Sequence, residues 1–178
     1  ARAGEKAYED LIIGIHENVH EGLADKLIPA LKETISEFSK ALYTATKNSQ
    51  FLRTVKISLP YTWSENVPYD EHAKTKLYET SEIKLAMPAY PYLNQPYTKR
   101  VGGCGIPGMY IHITPAFILK HPKACQWSPR GLLMVREWAK FRWGVFDEVG
   151  YLNDGHYPLY RIGKNGYEIN ACTPGDDE

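Results

Sequence analysis

Residues 134–148 read Met134-Val-Arg-Glu-Trp-Ala-Lys-Phe-Arg-Trp-Gly-Val-Phe-Asp-Glu148. Just upstream, Ser128-Pro129 predicts a helix start, with Ser128 as N-cap and Pro129 at the first helical position. The helix should run to about Arg142 and stop near Gly144, with Leu132, Val135 and Ala139 on its apolar side. Arg136 and Lys140 are four residues apart and so share a face. Taken alone, Arg136, Glu137 and Lys140 read as an ordinary solvated face with a few weak ion pairs.

The same spacing is that of the metalloprotease pattern His-Glu-x-x-His. There, two imidazoles on one helix face hold zinc and the intervening Glu activates the metal-bound water. In this chain the two ligand positions carry Arg136 and Lys140, and only the Glu remains, as Glu137. A guanidinium stays protonated at any workable pH and an ammonium has no lone pair to offer, so both replacements remove a ligand.

Working outward, Leu11 to Ile15 is a short β-branched run expected to be a buried strand. Residues 23–46 switch to helical period, with Leu23, Leu27, Leu31, Ile35, Phe38 and Leu42 on one stripe. Pro29 predicts a start or a kink nearby. Phe51 to Leu59 alternates and reads as one strand stopped by Pro60. Residues 60–80 read as a surface excursion, Ile83 to Met87 as a short strand, and Pro88 to Tyr97 as irregular.

Gly102 to Gly108 lacks the Gly-Lys-Ser/Thr of a phosphate cradle and precedes a strand pattern, so a hairpin or edge turn is expected. That strand, Met109, Tyr110, Ile111, His112, Ile113 and Thr114, is expected to be an antiparallel edge strand able to pair with extended peptides. The predicted class is α+β: a mixed, mostly parallel twisted sheet with two main helices in a single domain over residues 1–178.

The chain has 178 residues, with 21 Lys plus Arg against 21 Asp plus Glu. No net field attracts nucleic acid or an anionic bilayer, and no basic cluster exceeds Lys99-Arg100. Apolar runs fall far short of the roughly 20 residues of a membrane span. The first residue is Ala and the last residues are polar, so both ends are expected to be cuts in a longer chain. Cys104, Cys125 and Cys172 leave at least one unpaired within these residues. Three buried or free thiols in a cytosolic protein is the plain reading of that count.

Several blocks carry a resemblance. Glu137-Trp-Ala-x-x-Arg-Trp-Gly-Val-Phe-Asp-Glu148 closely resembles the active-site block of the CLCA family, the calcium-activated chloride channel regulators. Other blocks match in order: Leu11 to His16, Lys56 to Trp63, Pro96-Tyr97-Thr98, Gly103-Cys104-Gly105, Tyr110 to Pro115 and Pro129-Arg130-Gly131.

The resemblance implies a zincin-like metalloprotease fold, with Glu137 at the general-base position and Asp147 at the third-ligand position. Arg136 and Lys140 stand where the family has its His ligands. Zinc lowers the pKa of its water from about 15.7 to about 7, on the order of 12 kcal/mol of activation that Glu137 alone cannot replace. Zinc is therefore expected to be lost, with no other cofactor implied.

The resemblance also implies the secretory pathway, an extracellular or cell-surface location where disulfides form, and protein partners, a chloride channel among them. Cys104 and Cys172 resemble family positions; Cys125 does not, which leaves open a partner beyond Glu178. The expected function is a non-catalytic domain that modulates chloride conductance through extracellular partners. The competing expectation is a working or self-cleaving zinc peptidase with non-standard ligands, for example His112 or His156 with Asp147. Each histidine also has a plain reading, His112 as a satisfied strand residue and His156 as a surface one.

Overall fold

The computed structural model of the chain describes residues 6–64, 77–89, 94–103, 105–120, 129–145, 147, 160–163 and 166–169. It divides into two compact units, Ala1–Gly144 and Val145–Glu178. Ser128, Cys104, Cys125, Cys172 and His156 lie outside the described residues.

The first unit opens with Lys6–Tyr8 (β1) and Leu11–Ile15 (β2), separated by a left-handed Asp10 at φ 58°. A single 3-10 turn, Glu21–Leu23, leads into the 22-residue helix Ala24–Ala45 (α1). Pro29 lies inside α1, where the bond it cannot donate would have gone to the Asp25 carbonyl in the first turn. The predicted stripe is the buried one: Leu27, Leu31, Phe38 and Leu42 are all at most 1% exposed.

The expected single strand over 51–59 is two strands, Gln50–Leu52 (β3) and Val55–Ser58 (β4). They pair in parallel with β1 and β2 respectively, in separate sheets. The partner segment jogs at Asp10, and the chain follows it: Arg53 N–H donates to the Tyr8 carbonyl (2.9 Å) and Leu11 N–H to the Thr54 carbonyl (3.2 Å). Beyond β4, the buried Trp63 donates its Nε1–H to the Val19 carbonyl at 3.0 Å, tying the exits of β4 and β2 together.

Leu77–Thr80 (α2), Ile83–Leu85 (β5), Tyr97–Lys99 (β6), Tyr110–Ile113 (β7), Pro115–Lys120 (α3) and Arg130–Trp143 (α4) complete the unit. The main sheet has five strands in the order β4-β2-β5-β7-β6, parallel except for the antiparallel β6–β7 hairpin. This is the expected mixed sheet of an α+β chain, with one correction. The edge strand is β6, which begins at Tyr97, the last residue of the stretch expected to be irregular, and the Met109–Thr114 segment lies one place inside as β7. Ile111 and Ile113, both at most 1% exposed, sit between β5 on one side and β6 on the other.

Alternation sends Ile13, Ile83, Leu85, Ile111 and Ile113 to one face, where Met134, Trp138 and Phe141 of α4 complete the core with α1. The helix α4 starts at Arg130 with Pro129 itself as N-cap, one residue later than expected. Arg130 is 3% exposed; its Nε and Nη2 clasp Glu37 at 3.1 and 2.8 Å, and Nη1 donates to the Ile118 carbonyl at 3.0 Å. This clamp joins α4, α1 and α3.

Replacing Glu37 with Ala leaves that guanidinium buried with the Ile118 carbonyl and, at 3.6 Å, the half-exposed Glu33. The expected loss is about 3 kcal/mol, read as a drop in the urea midpoint. Adding Arg130→Met should recover part of it; a Glu37→Ala midpoint equal to the parent's would refute the clamp.

In the second unit, Tyr160–Gly163 (β8) and Gly166–Ile169 (β9) form an antiparallel hairpin. Among the described residues no helix is long and apolar enough to cross a membrane.

Candidate functional site

The site is built where α4 passes beneath the edge hairpin. Thr98, central in β6, pairs with Ile111 of β7 and so shares its face of the sheet, toward α4. Its hydroxyl lies 2.8 Å from the Glu137 carbonyl and 2.9 Å from Glu137 Oε2, positioned to donate to both. The other carboxylate oxygen, Oε1, accepts from Lys140 Nζ at 2.8 Å. Glu137 is 2% exposed and Lys140 8%.

Both oxygens of the carboxylate thus have donors, which is what makes a buried acid tolerable. The sequence singled out Glu137 and Lys140 but not Thr98, whose role depends on a sheet pairing that no local pattern announces.

The two positions where the resemblance expects metal ligands have different surroundings. Lys140 is buried against Glu137, unlike the solvated face that the sequence alone suggests, whereas Arg136 is exposed on the helix surface. Asp147, half-buried, belongs to the second unit. The end of α4 is fixed by Gly144, left-handed at φ 65°, whose N–H donates to the Lys140 carbonyl at 3.2 Å. A Cβ there would stand 2.5 Å from the backbone N and O of Ile106, so the hairpin loop rests directly on this glycine. Gly105 N–H to the Gly144 carbonyl (3.0 Å) and Gly108 N–H to the Phe141 carbonyl (2.9 Å) fasten it.

His112 sits on the opposite face of the sheet from Glu137, stacked on Tyr97 at 4.8 Å with the rings 20° apart. It is 8% exposed, and its Nδ1 is buried with no hydrogen-bond partner among the described residues. Burial pushes its pKa below the ordinary 6.5. The unfolded chain therefore binds its proton first as pH falls, so this residue erodes stability below about pH 6.5 until the folded form also titrates. The expected result is that His112→Phe flattens the fall in stability between about pH 6.5 and pH 5. An unchanged slope in urea melts across that range would contradict it.

These residues do not fit a zinc ion. Of the two positions where the resemblance expects a ligand, one is an ammonium already bonded to Glu137 and the other is a guanidinium. Among the described residues no three or more His, Cys, Asp or Glu gather as a ligand set.

A family model described as "Calcium-activated chloride channel N terminal" matches residues 2–175. The chain belongs to this family. It is similar to calcium-activated chloride channel regulator 2 of Mus musculus, 38% identical over 169 residues that cover 95% of this chain and 17% of that protein. Regulator 1 of Bos taurus is 37% identical over 166 residues, 93% of this chain and 18% of its own. Regulator 4 of Homo sapiens is 34% identical over 174 residues, 98% and 18%. This CLCA chain thus spans less than a fifth of the length of the curated relatives it matches. No solved structure matches it. Among the described residues of this CLCA chain, several of the blocks that resemble the family lie in the elements around α4. They include β6 with Thr98, the β7 strand, Arg130-Gly131 at the α1 crossing and Gly144 at the loop contact.

Proposed function

We propose that this chain is the pseudo-metalloprotease domain of a CLCA-type protein, a zincin-like scaffold that modulates chloride conductance through extracellular protein partners and without catalysis. The observation that carries this reading is the state of Glu137. A general base must reach a water at the reacting centre. Here the carboxylate is 2% exposed, with Lys140 on one oxygen and Thr98 on the other. His112, the alternative ligand among described residues, faces away on the far side of the sheet. Zincin ancestry rests on the Glu-x-x-x spacing of α4 beneath an antiparallel edge strand, with Asp147 in the third-ligand position of the motif. The link to a chloride conductance is supported by the names of the relatives, calcium-activated chloride channel regulators; the extracellular setting rests on the family resemblance of the sequence blocks.

The test applies the secreted protein that carries this chain to cells expressing a calcium-activated chloride conductance. Current should change equally with the parent and with Glu137→Gln, and peptide substrates should stay intact with both. Loss of the current effect on Glu137→Gln, together with cleavage by the parent, would sink the proposal.

A further inference from the structure

The edge strand β6 reaches both faces of the sheet. On the α4 face Thr98 donates to the Glu137 carboxylate. On the opposite face its neighbour Tyr97 lies stacked on the ring of His112. The strand has three residues and pairs with β7 alone, at the end of the sheet. A short edge with one partner strand is among the first parts of a sheet to open.

The surroundings of His112 suit a neutral ring and not a charged one. A protonated imidazole carries two N–H donors, and Nδ1 is buried with no acceptor among the described residues. The charged groups nearby do not compensate. Its register partner on β5 is Lys84, another cation, whose ammonium lies 4.7 Å from the Tyr110 ring and 5.0 Å from the Tyr78 ring. On α2, Glu79 is 81% exposed and lies 3.7 Å from that ammonium. Glu82, just before β5, accepts from the Ile12 N–H at 2.9 Å. On β6 the titratable side chains are Tyr97 itself and Lys99, the register partner of Tyr110.

We infer that β6 is an acid-released latch: protonation of His112 displaces Tyr97, and the departing strand carries Thr98 off Glu137. Opening at β6 breaks one set of strand pairs, whereas β5 is paired on both sides. Release leaves Lys140 on one carboxylate oxygen and gives the other to water. The site is closed near neutral pH and opens in acid.

Burial holds the proton affinity of the closed form below the ordinary 6.5, whereas the opened ring titrates normally. Opening is therefore favoured as pH falls, by at most about 30-fold between about pH 6.5 and pH 5. The inference rests on the reading that Thr98 and Lys140 hold Glu137, and its readout involves neither metal nor cleavage.

Hydrogen–deuterium exchange of the full chain near neutral pH and near pH 5, corrected for intrinsic rates, tests it. Protection of the Tyr97–Lys99 amides should fall about tenfold in acid while β2 and β5 keep theirs. His112→Phe retains an aromatic ring without the proton site, so its β6 should be equally protected at both.

Unchanged β6 protection in the parent, or a fall that persists in His112→Phe, would overturn the latch. An equal fall in β2 and β5 would also overturn it, since that is unfolding of the whole unit. Should His112→Phe not fold, NMR of the parent decides. The His112 resonances and the β6 amides should titrate together, and His112 titrating while β6 stays still refutes the coupling. Zinc-dependent cleavage with the latch behaving as described would instead sink the non-catalytic reading alone.

Discussion

Gly131→Val will leave the first unit several kcal/mol less stable, or unfolded. Any Cβ at this position stands 2.7 Å from the Glu37 carbonyl oxygen, 2.9 Å from its carbon and 3.2 Å from Ala41 Cβ. The obstacle is helix backbone, which cannot rotate aside, so α4 must move off α1. That movement loosens the neighbouring Arg130–Glu37 clamp and the Met134 and Trp138 packing behind it. Overpacking costs about 1–3 kcal/mol, and a broken buried ion pair adds about 3 kcal/mol more.

The sign for Gly131→Ala is the sharper test. In an open helix Gly to Ala gains up to about 1 kcal/mol; here it should lose stability. Urea denaturation reads both variants, and a stabilised Gly131→Ala would show that the crossing of α1 and α4 is looser than described.

The double change Arg136→His and Lys140→His should raise zinc affinity by orders of magnitude. Two cations that repel the metal become two imidazoles four residues apart on one helix face. The same change removes the ammonium from Glu137, leaving a 2%-exposed carboxylate with Thr98 as its remaining side-chain donor. In chelator the double variant should therefore melt below the parent, and zinc at 100 times its Kd should return about 2.7 kcal/mol. Calorimetry with and without zinc checks both halves. A variant that melts at the parent's temperature in chelator and ignores zinc would refute the role given to Lys140 and the ligand geometry alike.

How much of this was legible depends on the range of the interactions that decide each feature. The α1 stripe, β2, the hairpin at the glycine cluster and the Gly144 stop were readable because periodicity and turn chemistry act within a few residues. The break between β3 and β4 was not. The apolar phase in residues 51–59 does shift once, between Leu52 and Val55, but a phase shift alone does not say that the two halves join separate sheets; that goes with the left-handed Asp10, more than 40 residues away in the partner segment. The Met109–Thr114 segment looked like an edge because polar Tyr110, His112 and Thr114 alternate with isoleucines. Those polar positions are accommodated inside the sheet instead, with His112 stacked on Tyr97 and Lys84 lying 4.7 Å from the Tyr110 ring.

At the site, helical spacing placed Arg136 and Lys140 on one face but could not say that only Lys140 is buried. That depends on Thr98 and the edge strand above Glu137. The short strand β1 and helix α3 went unread because a three-residue strand and a six-residue helix are too brief to show a period.

The central claim is that Lys140 and Thr98 hold Glu137 in place of a metal-bound water. Elemental analysis of the purified protein, after equilibration with zinc and gel filtration, tests it most directly. The account predicts zinc far below one ion per chain, with no chelator-sensitive peptide cleavage. One zinc per chain, with cleavage abolished by Glu137→Gln, would contradict it.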